Sequence, residues 1–230
     1  ASDVYKRQHL SEVWMYGDPE NFDLKHALAK KHKVKFENIV IGEGIDGLLG
    51  YLVRLIIEQG ENVVTTDGAY PTFNYHVEGF GGNLHKVPFC NDTEDLQSLL
   101  NKVKETSAKI LYVSNPNNPM GTINKPSDVQ TLIQNLPETT LLCLDEAYID
   151  FVDDNFIPKI SLETKNVIRM RTFSKAYGMA GLRVGYAIGE KDLILNFEKI
   201  RNHFGMSRIS QVGALAALED YDFISEVINK

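Results

Sequence analysis

The chain is poor in cysteine, in tryptophan and in long apolar runs. Two cysteines, Cys90 and Cys143, and a single tryptophan stand among 230 residues. Two thiols do not make a disulfide framework, and this usage suits a reducing cytosol. No cysteine–histidine pair has the spacing of metal ligands, so no metal site is expected. The longest apolar stretch, residues 48–57, contains Arg54 and is too short to span a bilayer, which leaves no membrane partner. Net charge is -7 and the basic residues are scattered. Without a basic stripe, nucleic acid is not an expected partner, and the acidity serves solubility. Residues 1–8 are polar, with no apolar core of a signal peptide, so a cytoplasmic location is expected.

What is present is an ordinary globular composition, 43% hydrophobic and 24% charged, enough for a sizeable core. From Val34 onward, short apolar runs alternate with segments of helical periodicity. Strands are expected at 37–41, 62–66, 83–88, 109–113, 140–144, 166–171 and 184–188. Helices are expected at 21–32, 48–58, 71–80, 93–104, 127–135, 191–202 and 209–218, and residues 226–230 read as part of another. This alternation implies an α/β fold, three layers deep (α/β/α), with a mostly parallel sheet. Such sheets bind ligands at the carboxyl ends of their strands. Asp46, Asn118, Asp145 and Lys175 each follow a different expected strand.

The most informative stretch is Thr172-Phe173-Ser174-Lys175-Ala176-Tyr177-Gly178-Met179-Ala180-Gly181-Leu182-Arg183. It puts an amine able to form an imine beside two hydroxyls and a guanidinium, which together make a phosphate cradle. An imine-forming amine needs surroundings that favour loss of its proton, and burial beside Arg183 and a bound cofactor would supply them. Asp145 ends an apolar run, where it could cap a turn or pair with a protonated ring nitrogen. Tyr148 and Asn118 could reach a phenolic oxygen, although a packed tyrosine and an Asn/Pro/Gly turn are the plain alternatives. Phe73 could stack on a flat ring or belong to the core. An aldehyde cofactor with a phosphate, a phenolic oxygen and a basic ring nitrogen, pyridoxal 5'-phosphate, answers this set.

A rival lies in Gly42-Glu43-Gly44-Ile45-Asp46-Gly47, a literal G-x-G-x-x-G between a strand and a helix, with Asp67 twenty residues on. That is the dinucleotide fingerprint, so a nicotinamide oxidoreductase using the loop 42–47 stays open. Both readings place a phosphate against a helix start, at the amides of Ile45 and Asp46. The dinucleotide reading gives Lys175, Asp145 and Asn118 no joint role.

As a set, Asn-Asn-Pro-x-Gly at 117–121, Asp-Glu-Ala-Tyr at 145–148 and the Lys175 motif resemble fold-type I pyridoxal phosphate enzymes. Within these the chain looks most like class I/II aminotransferases of the histidinol-phosphate type. The resemblance implies the large domain of that fold at residues 16–230, a remnant at 1–15, and a missing small C-terminal domain. It gives Lys175 the imine, Asp145 the ring nitrogen, and Tyr148 and Asn118 the phenolic oxygen. It gives Phe73 the stacking face, and Ile45, Asp46, Thr172, Ser174 and Arg183 the phosphate. Tyr16 would enter the neighbouring subunit's phosphate site, which implies a homodimer with shared sites. The expected reaction moves an amino group from a small amino donor to a 2-oxo acid. A sister decarboxylase or lyase, or a cofactor-binding protein without catalysis, stays open. Ile45 is bulkier than the small residue common at its place, which is tolerable where only its amide is used. The arginine that clamps the substrate carboxylate is missing, so weak or no turnover is expected of this chain.

Overall fold

A computed structural model describes residues 10–229. Seven strands form one sheet: β1 (Ile39–Glu43), β2 (Asn62–Thr66), β3 (Asn83–Val87), β4 (Ile110–Ser114), β5 (Leu141–Asp145), β6 (Val167–Thr172) and β7 (Val184–Gly189). Their order is β1-β7-β6-β5-β4-β2-β3. All neighbours are parallel except β7, which runs antiparallel to both β1 and β6. The reversal matters for position. The carboxyl ends of β1, β4, β5 and β6 lie on one edge, and the start of β7 is brought to that edge with them. Thr172 pairs with Gly185, Glu43 with Val184, and Ser114 with Asp145.

Side chains alternate across this sheet, as the pleat requires. Along β4, Ile110 and Tyr112 join one core with Leu48, Leu52, Phe73 and Phe197. Leu111 and Val113 join another with Leu99, Val103, Val129 and Leu132. A third core covers the same face as the second, where Ile39, Ile41, Tyr186 and Ile188 meet Leu24, Leu28 and Ala214. The helices supplying these layers are α1 (Phe22–His32), α2 (Gly44–Ile56), α3 (Thr72–Gly79), α4 (Leu96–Thr106), α5 (Pro126–Asn135), α6 (Lys191–Glu198), α7 (Arg208–Glu219) and α8 (Tyr221–Ile228). Removing a fully buried side chain such as Leu48 or Leu52 would cost about 2–5 kcal/mol.

The expected boundaries need four corrections. Strand β1 runs over Ile39–Glu43 rather than 37–41, because Phe36–Asn38 form a 3₁₀ turn. Helix α2 begins at Gly44, not at residue 48. Its glycine-rich start reads as a loop, yet Gly44, at φ 77, is the point where the chain turns directly from β1 into the helix. Helix α6 ends at Glu198 rather than at residue 202, because the Arg201 side chain folds back onto Glu198 and the Asn202 amide donates to Tyr51 Oη. Helix α4 begins at Leu96 rather than residue 93, capped by the Asp95 carboxylate, which accepts from the Ser98 amide at 3.0 Å. Of the expected N-terminal remnant, residues 1–9 lie outside the described residues. Leu10–Glu12 form a 3₁₀ turn, and Glu12 Oε2 meets Arg208 Nε at 2.8 Å.

Candidate active site

At the carboxyl edge of the sheet lies a cavity of about 360 Å³. Ile45, Asp46, Asn118, Asp145, Tyr148, Thr172, Ser174, Lys175 and Arg183 line it, together with Leu49, Tyr70, Thr72, Tyr112, Ser114, Ala147 and Ala180. Nine residues expected from sequence therefore meet at one place.

One side gathers groups able to bind an anion. Ile45 and Asp46 lie in the first turn of α2, where backbone N–H groups have no acceptor within the helix. The helix dipole adds partial positive charge there. The Asp46 carboxylate is held by His76 Nε2 at 2.9 Å. Thr172 donates from Oγ1 and accepts from the Ser174 amide at 3.0 Å, so the two hydroxyls are held side by side. Arg183, in the left-handed region at φ 52, anchors Nη1 on the Ala180 carbonyl at 3.1 Å. Two glycines make the close packing possible. A Cβ on Gly44 would strike the Arg183 guanidinium, and a Cβ on Gly185 would lie 2.5 Å from Gly44 C and 2.6 Å from Ile45 N.

The other side is built on Asp145. Its Oδ2 accepts from Tyr112 Oη at 2.6 Å, and Oδ1 accepts from the Ala147 amide at 2.9 Å. Burial holds its carboxyl above the usual range, against these hydrogen bonds and the nearby Lys175 charge, which pull the other way. Burial, and then the Asp145 charge, pushes the Tyr112 phenol well up, so it stays a neutral donor. Tyr112 was hidden to sequence reading inside the apolar run of β4. Its only signal is a hydroxyl on the strand register that faces Asp145.

One expectation, that of Phe73, lands elsewhere. Lys175 is exposed on the same cavity wall as Arg183, and its amine lies over the Tyr148 ring, 5.1 Å from the centroid. It sits in the turn that follows β6, where neither neighbouring core reaches it. Phe73 does not line the cavity. It is fully buried and stacks on Tyr112 with centroids 4.5 Å apart, while Tyr70 and Thr72, on the turn into α3, face the cavity. Tyr16 lies outside this chain's own cavity, 80% exposed and packed on Phe204 at 4.9 Å. Asp67, the acidic residue of the dinucleotide fingerprint, is exposed and absent from the cavity wall.

A mostly parallel sheet thus gathers at its carboxyl edge a lysine, a buried aspartate and a set of groups chemically able to bind an anion. The chain belongs to the aminotransferase class I and II family, whose pattern it matches over residues 6–230. It is 34% identical to the histidinol-phosphate aminotransferase of Desulfotalea psychrophila, covering 97% of this chain and 60% of that protein. It superposes on the structure of histidinol-phosphate aminotransferase from Sinorhizobium meliloti in complex with pyridoxal-5'-phosphate. There the TM-score is 0.96 and the identity 51%, covering 100% of this chain and 63% of that one. With L-threonine-O-3-phosphate decarboxylase from Porphyromonas gingivalis it shares the fold alone, at TM-score 0.83 and 20% identity. The chain thus spans about 60% of the length of these aminotransferase relatives. Family membership replaces the nicotinamide reading of the loop 42–47. Among the described residues, no cluster of three or more His, Cys, Asp or Glu could hold a metal, and no helix is long and apolar enough to cross a membrane.

Proposed function

We propose that residues 16–230 form the cofactor-binding large domain of a pyridoxal 5'-phosphate-dependent transaminase. The observation that carries this is the single cavity that unites Lys175, Asp145 and the cradle of Thr172, Ser174 and Arg183. The donor set fits the cofactor: an amine for its aldehyde, a carboxylate for its ring nitrogen, and hydroxyls, a guanidinium and helix amides for its phosphate. When bound, the cofactor supplies a carbonyl that captures amines and a ring that takes up electrons.

The residues divide the remaining work. Arg183, Thr172, Ser174 and the amides of Ile45 and Asp46 bind the phosphate. Asp145 keeps a proton on the ring nitrogen, and Tyr112 and the Ala147 amide hold that carboxylate in place. Tyr148 and Asn118 orient the ring through its phenolic oxygen. Lys175 Nζ takes the proton from the substrate α-carbon and returns it, a transfer worth about 10²- to 10⁴-fold. The amino donor is histidinol phosphate and the acceptor a 2-oxo acid. This is supported by the identity to the Sinorhizobium meliloti and Desulfotalea psychrophila proteins.

A homodimer is part of the same reading. Val13, Trp14 and Tyr16 expose apolar surface at the N-terminal arm, with the exposed Phe204 packed against Tyr16, as a segment that reaches into a second copy would. The free thiols Cys90 and Cys143 fit a cytoplasmic location.

The test is spectroscopic. Mixed with pyridoxal phosphate, the chain gains a visible absorbance band that borohydride abolishes, and Lys175→Ala does not. A band in Lys175→Ala that survives borohydride would remove Lys175 from its role.

A further inference from the structure

Glu94 lies between β3 and α4, 2% exposed and outside the cavity wall. Burying a carboxylate is costly unless its hydrogen bonds are specific, and this one has uncharged donors. Its Oε1 accepts from the Ser114 amide at 3.1 Å and from Asn117 Nδ2 at 2.6 Å. Its other oxygen faces the Thr66 hydroxyl, and neither atom has a well-formed hydrogen bond. Burial raises the carboxyl to about 7.

The group that Glu94 holds is the hub of the loop carrying Asn118. Asn117 Oδ1 accepts from the Met120 amide at 3.2 Å, its own amide donates to the Thr122 carbonyl at 2.8 Å, and its carbonyl accepts from Gly121 at 3.0 Å. The next carbonyl, of Asn118, accepts from the Tyr70 amide at 3.0 Å. Two cavity-lining residues, Asn118 and Tyr70, therefore hang from a loop pinned by one buried carboxylate.

We propose that Glu94 is a positioning residue that acts through the Asn117 amide to fix how Asn118 and Tyr70 face the bound cofactor. It touches neither the cofactor nor the substrate. The proposal rests on the cofactor reading above.

The experiment uses the full chain loaded with pyridoxal phosphate. It measures the dissociation constant of the cofactor and the pH midpoint of its visible band. Asn118→Ala removes a donor to the phenolic oxygen and raises the midpoint. Glu94→Ala shifts it the same way and weakens cofactor binding about tenfold. Glu94→Gln keeps an acceptor oxygen and recovers most of both. Glu94→Ala combined with Asn118→Ala moves the midpoint no further than Asn118→Ala, because the midpoint effect runs through the Asn118 side chain. Leu99→Ala, a core change in α4, loses stability but leaves the midpoint unmoved. If Glu94→Ala does not fold, Asn117→Ala cuts the same link from the other side and carries the same expectation. A normal wild-type band with an unmoved midpoint in Glu94→Ala or Asn117→Ala, or full additivity of the midpoint shift with Asn118→Ala, overturns the proposal alone. A wild-type chain without any band overturns the cofactor reading and this one together.

Discussion

Asp145 and Glu146 are consecutive carboxylates at the end of one buried strand, and the two regions they serve differ in kind. Asp145 faces the cavity and has only neutral partners, the Tyr112 hydroxyl and the Ala147 amide. Glu146 points to the opposite side of the sheet, is fully buried, and meets Arg169 at 2.9 and 2.8 Å and Arg171 at 2.7 Å. Burial raises both carboxyls. For Asp145 it prevails, whereas for Glu146 the attraction of Arg171 and Arg169 outweighs it and holds the carboxyl below its usual value. One carboxylate is complete within the protein. The other is hydrogen-bonded only by neutral groups, with the Lys175 charge acting on it from a distance. The fold thus pairs one carboxylate with arginines in direct contact and leaves the other, one residue away, facing the cavity where chemistry is proposed.

The contrast breaks most sharply on the interior side. Glu146→Ala strands two arginines in the core and should cost about 3–5 kcal/mol, read by thermal denaturation of the cofactor-free chain. A loss below about 1 kcal/mol would mean the arginines find water or other partners. Asp145→Asn should do the reverse. It should weaken pyridoxal phosphate binding about ten- to a hundredfold, the worth of a hydrogen bond to a charged group. Yet it should gain stability over wild type in the cofactor-free chain as pH rises. The sign follows from linkage. A carboxyl raised in the folded state contributes stability that is fully present below its unfolded pKa and lost as pH climbs through its folded value. Glu146, with its depressed carboxyl, has the opposite slope: its contribution is present above the ordinary glutamate range and lost on acidification. Melting temperatures of wild type and the two variants, followed from below the ordinary carboxylate range up to neutral pH, would separate the two, and parallel slopes would end the comparison. The smallest effect belongs to Tyr112→Phe. It removes one donor to Asp145 and leaves the ring stacked on Phe73, so cofactor affinity should fall only about fivefold, near 1 kcal/mol.

Much of this was legible in the chain because strand ends are legible. An apolar run that stops at Asp145, Ser114 or Thr172 announces both the strand and the polar residue that emerges from it. The sheet then gathers those ends without further instruction. The aromatic of the cavity wall was less accessible. Tyr70 and Phe73 stand three residues apart, and which one meets the cavity depends on where α3 begins to turn, which periodicity does not resolve. Tyr112 was hidden for another reason: an apolar run conceals a hydroxyl that matters only once its neighbouring strand is known. The first turn of α2 was lost because glycine signals a loop. Here Gly44 is needed for the approach of Arg183, a contact 139 positions away along the chain that local reading cannot see. Glu94 carries no pattern in sequence at all, since its importance lies in the loop it grips.

The reversed strand β7 has one more consequence. The anion cradle joins residues from the turn after β1 to residues at the mouth of β7, near opposite ends of the described chain, so it exists only when those two strands lie together. A phosphate settled there bridges the earliest and latest strands to be synthesised. By mass action it would stabilise their union by about 2.7 kcal/mol at a hundredfold excess over its dissociation constant. The ligand is in that sense a latch on the rim of the sheet, and emptying the cradle would loosen the outermost strand before the interior.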